Sequence, residues 1–537
     1  VVTPGLVRGD DVAVAVAPGV GAVLAGAAGG RVVIDAATPL GAALARVEVD
    51  VAPRWVWWSK ATATALVTAG VRPARCWDLG AVHRLLHGGW QSDPAAVWAA
   101  RRGLDPDARP VDTPPDLFSD AADDSQPVRA DGYLAPAWID RGWAHDQESL
   151  RRWAELALDV SRWQADALST RCHLWGLTPD VTLRTARSES AAELLCAELE
   201  CDGLPIDVAE AERIIASFIG PRPTDAAHEQ ALAHERDRRV LDLAGVDDID
   251  LRSPAGVKSL LRRVGIEVPD TRAWRLERRR GEHPVVDALL AWRRAERIAT
   301  TFGYRWLDEH VGPDHRLRGT WSGSDGAAGR MTATAGLHNL PAELRPAVAA
   351  DPGHVLVRAD LGQIEPRILA AVSGDRALMR AAEEDDMYAP VAARLGVSRE
   401  VAKVAVLGAM YGQTTGHGAA ALAGLEAAYP TAMSYLAAAA GAAEGGQDLR
   451  THGGRLVRMG ATWGGSGDGT PGDDAGRDAR RRAAARGRYG RNAMVQGAAA
   501  EFFKTWAVIV RARLAGSDTR IVLALHDELL LHAPKED

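Results

Sequence analysis

The chain reads as a multidomain protein of α/β and α+β parts. Three observations predict this. At 537 residues it is too long for one hydrophobic core, which suggests about three or four domains. Its first hundred residues alternate short apolar strands with Ala-rich helical stretches, the pattern of a small α/β unit. Its C-terminal part combines long helices with an apolar strand and a tight hairpin, each ending on an acid.

In order, the apolar stretch Val12 to Gly30 is broken by Pro18 and repeated Gly and preceded by Asp10 and Asp11, so it reads as a strand pair and not as a membrane span. Val32 to Ile34 and Trp55 to Trp58 read as further strands. Residues 104–136 read as a linker, because Pro106, Pro110, Pro114, Pro115 and Pro127 stand among many Asp. A helical run follows from Glu148 to about Leu174. Ser190 and Glu193 form a capping-box signature for a helix ending near Gly203. Ser253-Pro254 opens a helix through Arg263, and His283-Pro284 opens another through Trp306. A Gly/Asp-rich loop is expected over 460–476. The chain begins without Met and stops soon after the acidic hairpin, so it reads as cut at both ends.

Composition bounds the class without choosing the chemistry. Hydrophobic residues make up 47% and charged residues 25%, ordinary for a globular enzyme. The net charge of −8 argues mildly against nucleic acid, but the arginines are clustered. One group is Arg272, Arg275, Arg278, Arg279, Arg280, Arg293, Arg294 and Arg297; the other is Arg477, Arg480, Arg481, Arg482, Arg486, Arg488 and Arg491. Each group reads either as a solvated helix face or as a contact to phosphate. The four cysteines have no zinc-ligand spacing and read as free thiols of a reducing cytosol.

Three constellations carry chemistry. Leu525-His526-Asp527-Glu528-Leu529 is an acidic turn between two apolar runs, which pushes the Asp527 carboxylate to a hairpin tip. Val355 to Asp360 is an apolar strand ending on a second acid, followed by Leu361, Gln363 and Glu365. Two such carboxylates from separate strands suit two-metal phosphoryl transfer; a pair of solvated strand ends is the bland alternative. Between them, a helix opening at Ser398 places Arg399, Lys403, Leu407 and Tyr411 four residues apart along one slowly drifting stripe. An amphipathic helix with two snorkelling cations would look the same.

Taken together, these residues resemble all three signature motifs of family A DNA polymerases, the bacterial polymerase I type, and look nearest to actinobacterial proteins named as combined 3′–5′ exonuclease and polymerase. The resemblance implies a right-hand polymerase of palm, fingers and thumb preceded by a ribonuclease H-like exonuclease-type domain. Its boundaries would be 1–175 for that domain, 176–318 for the thumb, 319–385 and 488–537 for the palm, and 386–487 for the fingers. It implies template-directed DNA synthesis on a primer–template from dNTPs, by a monomer in the cytoplasm, at the nucleoid, with two Mg²⁺ ions for which Mn²⁺ could substitute. Asp360, Asp527 and the Leu361 carbonyl would hold metal, with Glu528 supporting the site. Arg399 and Lys403 would hold the triphosphate, Tyr411 would stack at the template position, and Gln363 and Glu365 would lie at the sugar, with Glu365 as steric gate. Arg330, Asn339, Arg488, Asn492, Gln496 and His526 would contact DNA, the polar ones reading pair shape in the minor groove.

The chain departs from that pattern in places. Leu407 stands where Phe or Tyr is usual and Val406 where Asn is usual, and Tyr388 occupies the place of a triphosphate-contacting His. In the N-terminal region an exonuclease of this type needs Asp-x-Glu on its first strand; Val32-Val-Ile-Asp35-Ala-Ala37 offers Ala in place of Glu, and Trp153 to Ala157 lacks the Tyr-x-x-x-Asp. The nuclease metal site is therefore expected to be lost. A bifunctional enzyme with a surviving 3′–5′ exonuclease and a non-catalytic DNA-binding scaffold are the alternatives.

Overall fold

A computed structural model of the chain describes residues 5–110, 126–412, 418–460 and 475–536. Parts of two expected features, the linker over 111–125 and the Gly/Asp-rich loop over 461–474, fall outside the described residues, as does the side chain of Arg477.

The N-terminal strands β1 (Asp11–Ala17), β2 (Gly21–Gly26) and β3 (Arg31–Asp35) form an antiparallel meander. Helix α1 (Leu40–Val51), β4 (Arg54–Trp57), α2 (Lys60–Thr68) and β5 (Arg75–Asp78) extend it on the other side of β1, with β4 and β5 parallel to β1. The sheet order is β3-β2-β1-β4-β5. Val12 and Val14 face one core with α1 and α2, whereas Ala13, Ala15 and Ala17 face a second core built with α3 (Leu79–His87), α4 (Pro94–Arg102), α5 (Pro136–Ile139) and α6 (Gln147–Arg171). This alternation is the period-2 signature of a central strand buried on both faces.

Two expectations need correction here. The segment Val32 to Asp35 is the third strand, at the sheet edge, and Asp35 accepts a hydrogen bond from the Gln147 amide. The first strand is β1, whose one acid, Asp11, stands at its start. The linker is also shorter than its composition suggests: Pro106–Ala108 form a 3₁₀ turn, Val128 bridges Leu134, and Leu134, Ala135 and Trp138 are buried in the second core. Prolines marked the chain as irregular but did not prevent its flanks from packing.

Helix α7 (Pro179–Asp202) starts at Thr178-Pro179, a whole segment before the expected capping box. Ser190 lies inside it, its hydroxyl donating to the Ala186 carbonyl at 2.8 Å, and Glu193 is taken by Arg84 and the Gly323 amide. Its end at Gly203, with φ +68°, is where the glycine placed it. Beyond it come β6 (Leu204–Pro205), α8 (Val208–Ile219), α9 (Ala226–Ala244), α10 (Pro254–Arg263), α11 (Ala273–Glu277), α12 (Pro284–Thr301) and α13 (Tyr304–His310). The helix expected from Pro284 to Trp306 is thus two, broken at Phe302-Gly303. Short ladders pair β6 with β7 (Arg316–Leu317) and β8 (Trp321–Ser322) with β9 (Thr332–Ala333).

The remaining elements are β10 (His354–Asp360), α14 (Ile364–Ser373), α15 (Arg376–Ala381), α16 (Tyr388–Leu395), α17 (Arg399–Tyr411), α18 (Gly418–Ala428), α19 (Pro430–Glu444), the ladder β11 (Leu449–Arg450) with β12 (Leu456–Val457), α20 (Ala475–Arg513), β13 (Arg520–Leu525) and β14 (Glu528–Pro534). The last sheet has the order β10-β14-β13. It rests on a core that includes Phe302, Trp306, Trp321, Phe503, Leu523 and Leu529. Helix α20, 39 residues long, packs against α7, α14, α17 and α19.

A buried ionic cluster ties these parts together. Glu189 on α7 accepts from both Lys504 on α20 and Arg455, and Lys504 Nζ also donates to the carbonyls of Gly329 at 2.8 Å and Gly323 at 3.2 Å. Burial pushes the Lys504 amine down to about 8. Gly329 has φ +87°, and any side chain there would collide with the Arg455 guanidinium. The turn from Gly323 to Gly329 is therefore clamped from beneath, and Arg330 emerges from it.

Candidate active site

The site is built where three elements meet. Strand β14 pairs with both β10 and β13, which places Glu528 directly across from Asp360 and leaves His526 and Asp527 as the hairpin turn. The Leu361 amide donates to the Asp527 carbonyl at 2.8 Å, pinning the end of β10 against the hairpin tip. Asp360 Oδ1 accepts from the Gly362 amide at 2.6 Å. Burial, with the charge of Asp360 next, holds the Asp527 carboxyl above the ordinary carboxylate range. Among the described residues no three His, Cys, Asp or Glu side chains gather closely enough to hold a metal ion by themselves.

After β10 the chain turns sharply through Gln363, at φ +58°, into α14. The Gln363 amide accepts from the Met387 N–H at 3.0 Å and faces Asp386, while Glu365 accepts a 3.0 Å hydrogen bond from the Tyr411 hydroxyl. Burial and the Glu365 charge raise the Tyr411 phenol. Tyr411 reaches Glu365 because α17 starts where the sequence places it, with Ser398 as N-cap accepting from the Val401 amide.

Along α17, Arg399 grips the Asp386 carboxylate with Nε at 2.5 Å and Nη2 at 3.2 Å and touches Glu400 at 2.9 Å. Its planar fork thus holds an acceptor of the geometry that phosphate also offers. Lys403 is exposed and forms no ion pair with any described residue. Leu407 is half-buried and Val406 buried. Arg330, Gln363, Glu365, Tyr388, Leu407, Gln496, His526 and Asp527 together line a cavity of about 170 Å³.

Arg330 approaches Asp325 at 3.7 Å. His526 is pushed below its ordinary value by burial first and Arg330 next, and it meets His338 edge-on with ring centroids 5.2 Å apart. On α20, Arg488, Asn492 and Gln496 recur at four-residue steps, so they share one face. Arg488 lies against Gly412, Gln496 is buried in the cavity wall, and Asn492 Oδ1 is buried without a hydrogen-bond partner among the described residues. Asn339 is exposed outside the cavity, and its carbonyl accepts from Arg297 at 2.9 Å.

The first arginine group is less free than its sequence suggests. Arg275, Arg279 and Arg280 pair with Asp270, Glu282 and Asp287, and Arg293 donates to the Thr271 carbonyl. Two residues of the site were not singled out from sequence. Asp386 holds Arg399, and Arg358 bridges Asp360 and Glu528. Arg358 carried a readable signal, since residues two apart on a strand share a face.

Comparison with known proteins places this geometry. The family model described as DNA polymerase family A matches residues 225–537. DNA polymerase I of Chloroflexus aurantiacus is 30% identical over 287 residues, covering 48% of this chain and 29% of that protein. DNA polymerase I of Pseudomonas aeruginosa is 28% identical over 344 residues, covering 56% and 36%. The matches thus span about a third of those relatives' length. Among solved structures, the POL domain of Pol1 from M. smegmatis, in complex with DNA primer-template and dNTP, has the same fold, with a TM-score of 0.65 at 21% identity over 99% of this chain and 90% of that one. With more than half of its length matched by the family model, the chain belongs to DNA polymerase family A.

Proposed function

We propose that the chain is a template-directed, DNA-dependent DNA polymerase that extends a primer 3′-hydroxyl with deoxynucleotides, in replication or repair. One observation supports the reading: Asp527 lines a cavity also walled by Glu365, Arg330 and Gln496, and strand β10 ends on Asp360 where the Leu361 amide is bonded to the Asp527 carbonyl. In this reading residues 319–385 and 488–537 form the palm, 386–487 the fingers and 176–318 the thumb. The N-terminal residues to 175 are an exonuclease-like unit without a working metal site. The enzyme acts as a monomer on DNA in the cytoplasm, at the nucleoid.

The donor set suits a hard divalent cation. Asp527 has no ion-pair partner among the described residues and Asp360 only the exposed Arg358, and Mg²⁺ is commonly held by one or two carboxylates plus substrate phosphates. Asp360 and Asp527 would hold it, with the Leu361 carbonyl and Glu528 beside them. Two bound Mg²⁺ ions, or Mn²⁺ in their place, supply neutralisation of charge on the attacking and leaving oxygens. The protein's own part is positioning. Arg399 and Lys403 hold the triphosphate, Arg399 leaving Asp386 to do so. Leu407 and Tyr411 pack at the base, Gln363 and Glu365 border the sugar, and Arg330, Asn339, Arg488, Asn492, Gln496 and His526 track the duplex.

Primer extension tests the reading. Asp360→Ala and Asp527→Ala should each abolish extension while duplex affinity stays within about threefold, since duplex binding rests mainly on contacts to phosphate. Undiminished extension by either variant would remove the assignment. Duplex binding without extension by the unaltered chain would point to a scaffold instead.

A further inference from the structure

We propose that Arg358 is the resident counter-ion of the metal-binding carboxylates and sets their affinity for divalent cations. The proposal rests on the reading of Asp360 and Asp527 as metal ligands. Strand register puts Asp360 directly opposite Glu528, and like charges so placed repel. Arg358, two residues before Asp360 on the same face, answers that repulsion. Its Nη2 lies 3.1 Å from Asp360 Oδ2 and 2.8 Å from Glu528 Oε2.

The two carboxylates are therefore not equivalent. Asp360 has both oxygens engaged, Oδ1 by the Gly362 amide and Oδ2 by Arg358. Asp527 forms no ion pair with any described residue. A cation approaching Asp527 finds it open, whereas one approaching Asp360 competes with a guanidinium for Oδ2. The competitor is built to yield, because the Arg358 side chain is 63% exposed. An ion pair that open on the arginine side is held weakly. When a cation takes Oδ2, Arg358 retains Glu528 or turns to solvent, and in the second case its departing charge offsets half of the charge that the cation brings.

The test measures metal binding directly. Binding of Mn²⁺ alone to the full chain, without DNA or nucleotide, is followed by the electron paramagnetic resonance of free Mn²⁺ in the unaltered protein, Arg358→Gln, Arg358→Lys and Asp360→Asn. Arg358→Gln should bind Mn²⁺ about three- to tenfold more tightly, the scale expected for removing one partly screened charge beside the ligands. Arg358→Lys, which keeps the charge, should remain near the unaltered protein. In primer extension the half-saturating Mg²⁺ concentration should fall in parallel for Arg358→Gln. Unchanged or weaker Mn²⁺ binding by Arg358→Gln, with Asp360→Asn still abolishing it, overturns the role of Arg358 alone. Mn²⁺ binding that survives Asp360→Asn undiminished overturns the metal reading and this inference with it.

Discussion

The contact between Glu365 and Tyr411 joins two segments that the sequence keeps far apart. The 3.0 Å hydrogen bond fixes a carboxylate at the cavity wall, and in the proposed reading a 2′-hydroxyl would have to displace it. A fixed charged group excludes an extra hydroxyl better than a mobile one, since it cannot relax away without losing its own partner. Glu365→Ala should therefore raise ribonucleotide incorporation relative to deoxynucleotide by about tenfold or more, as expected for loss of a hydrogen-bonded discriminating group. Incorporation of the two nucleotide types is compared in parallel single-nucleotide extensions. An unchanged ratio would take Glu365 out of the gate and leave its bond to Tyr411 a purely structural one.

At the scale of the element, α17 shows how one helix divides its labour. Ala402, Ala405, Val406 and Ala409 are buried against the neighbouring helices, while Arg399, Lys403 and Tyr411 stand on the open side. Leu407 lies at the boundary and lines the cavity. It offers apolar contact but no flat face for a base. Leu407→Phe should tighten nucleotide binding by about 1 kcal/mol, roughly fivefold, by adding a stacking surface. The measurement is the dNTP concentration dependence of single-turnover extension. Weaker binding would mean that the pocket is shaped around Leu407, with Tyr388 and Gln496 leaving no room for a ring.

At the scale of the whole molecule, the N-terminal unit is joined to the rest by buried charge. Arg84 on α3 meets Glu193 on α7, which also accepts from the Gly323 amide of the turn that presents Arg330. This linkage ties the unit to the turn that presents Arg330. Along β1, at the sheet centre, alternate positions are Ala13, Ala15 and Ala17 on one face and Val12 and Val14 on the other. A strand without carboxylates at those positions cannot contribute ligands to a two-metal nuclease site. A mismatched primer incubated with Mg²⁺ or Mn²⁺ and no nucleotide should therefore stay full length. The same assay on Asp360→Ala excludes reversal at the polymerase site. Metal-dependent shortening from the 3′ end by both proteins would show a surviving nuclease elsewhere in the fold.

Locally encoded features were legible in the sequence. The strand ending at Asp360, the hairpin turn at His526-Asp527, the helix Arg399–Tyr411 with its Ser398 cap and the helix Pro254–Arg263 all follow from short-range patterns, because turn geometry, capping and period are decided within a few residues. Patterns of that kind also misled. Ser190 and Glu193 match a capping box, yet burial against α2, β5 and α20 carries α7 straight through them, and the Asp-rich linker packs its flanks despite its prolines. The N-terminal acids were sought on β3 because a strand's rank in a sheet cannot be read from its own residues. The sequence by itself determined the chemical types of the candidate site and the faces they occupy. Only the tertiary structure decided which of them meet. Asp386 against Arg399, Glu528 against Arg358 and Glu189 against Lys504, which sits beneath the turn bearing Arg330, are pairings between residues that local patterns do not join. Each charge has many possible partners in sequence, and chain path, strand register and exclusion of water leave it one or two.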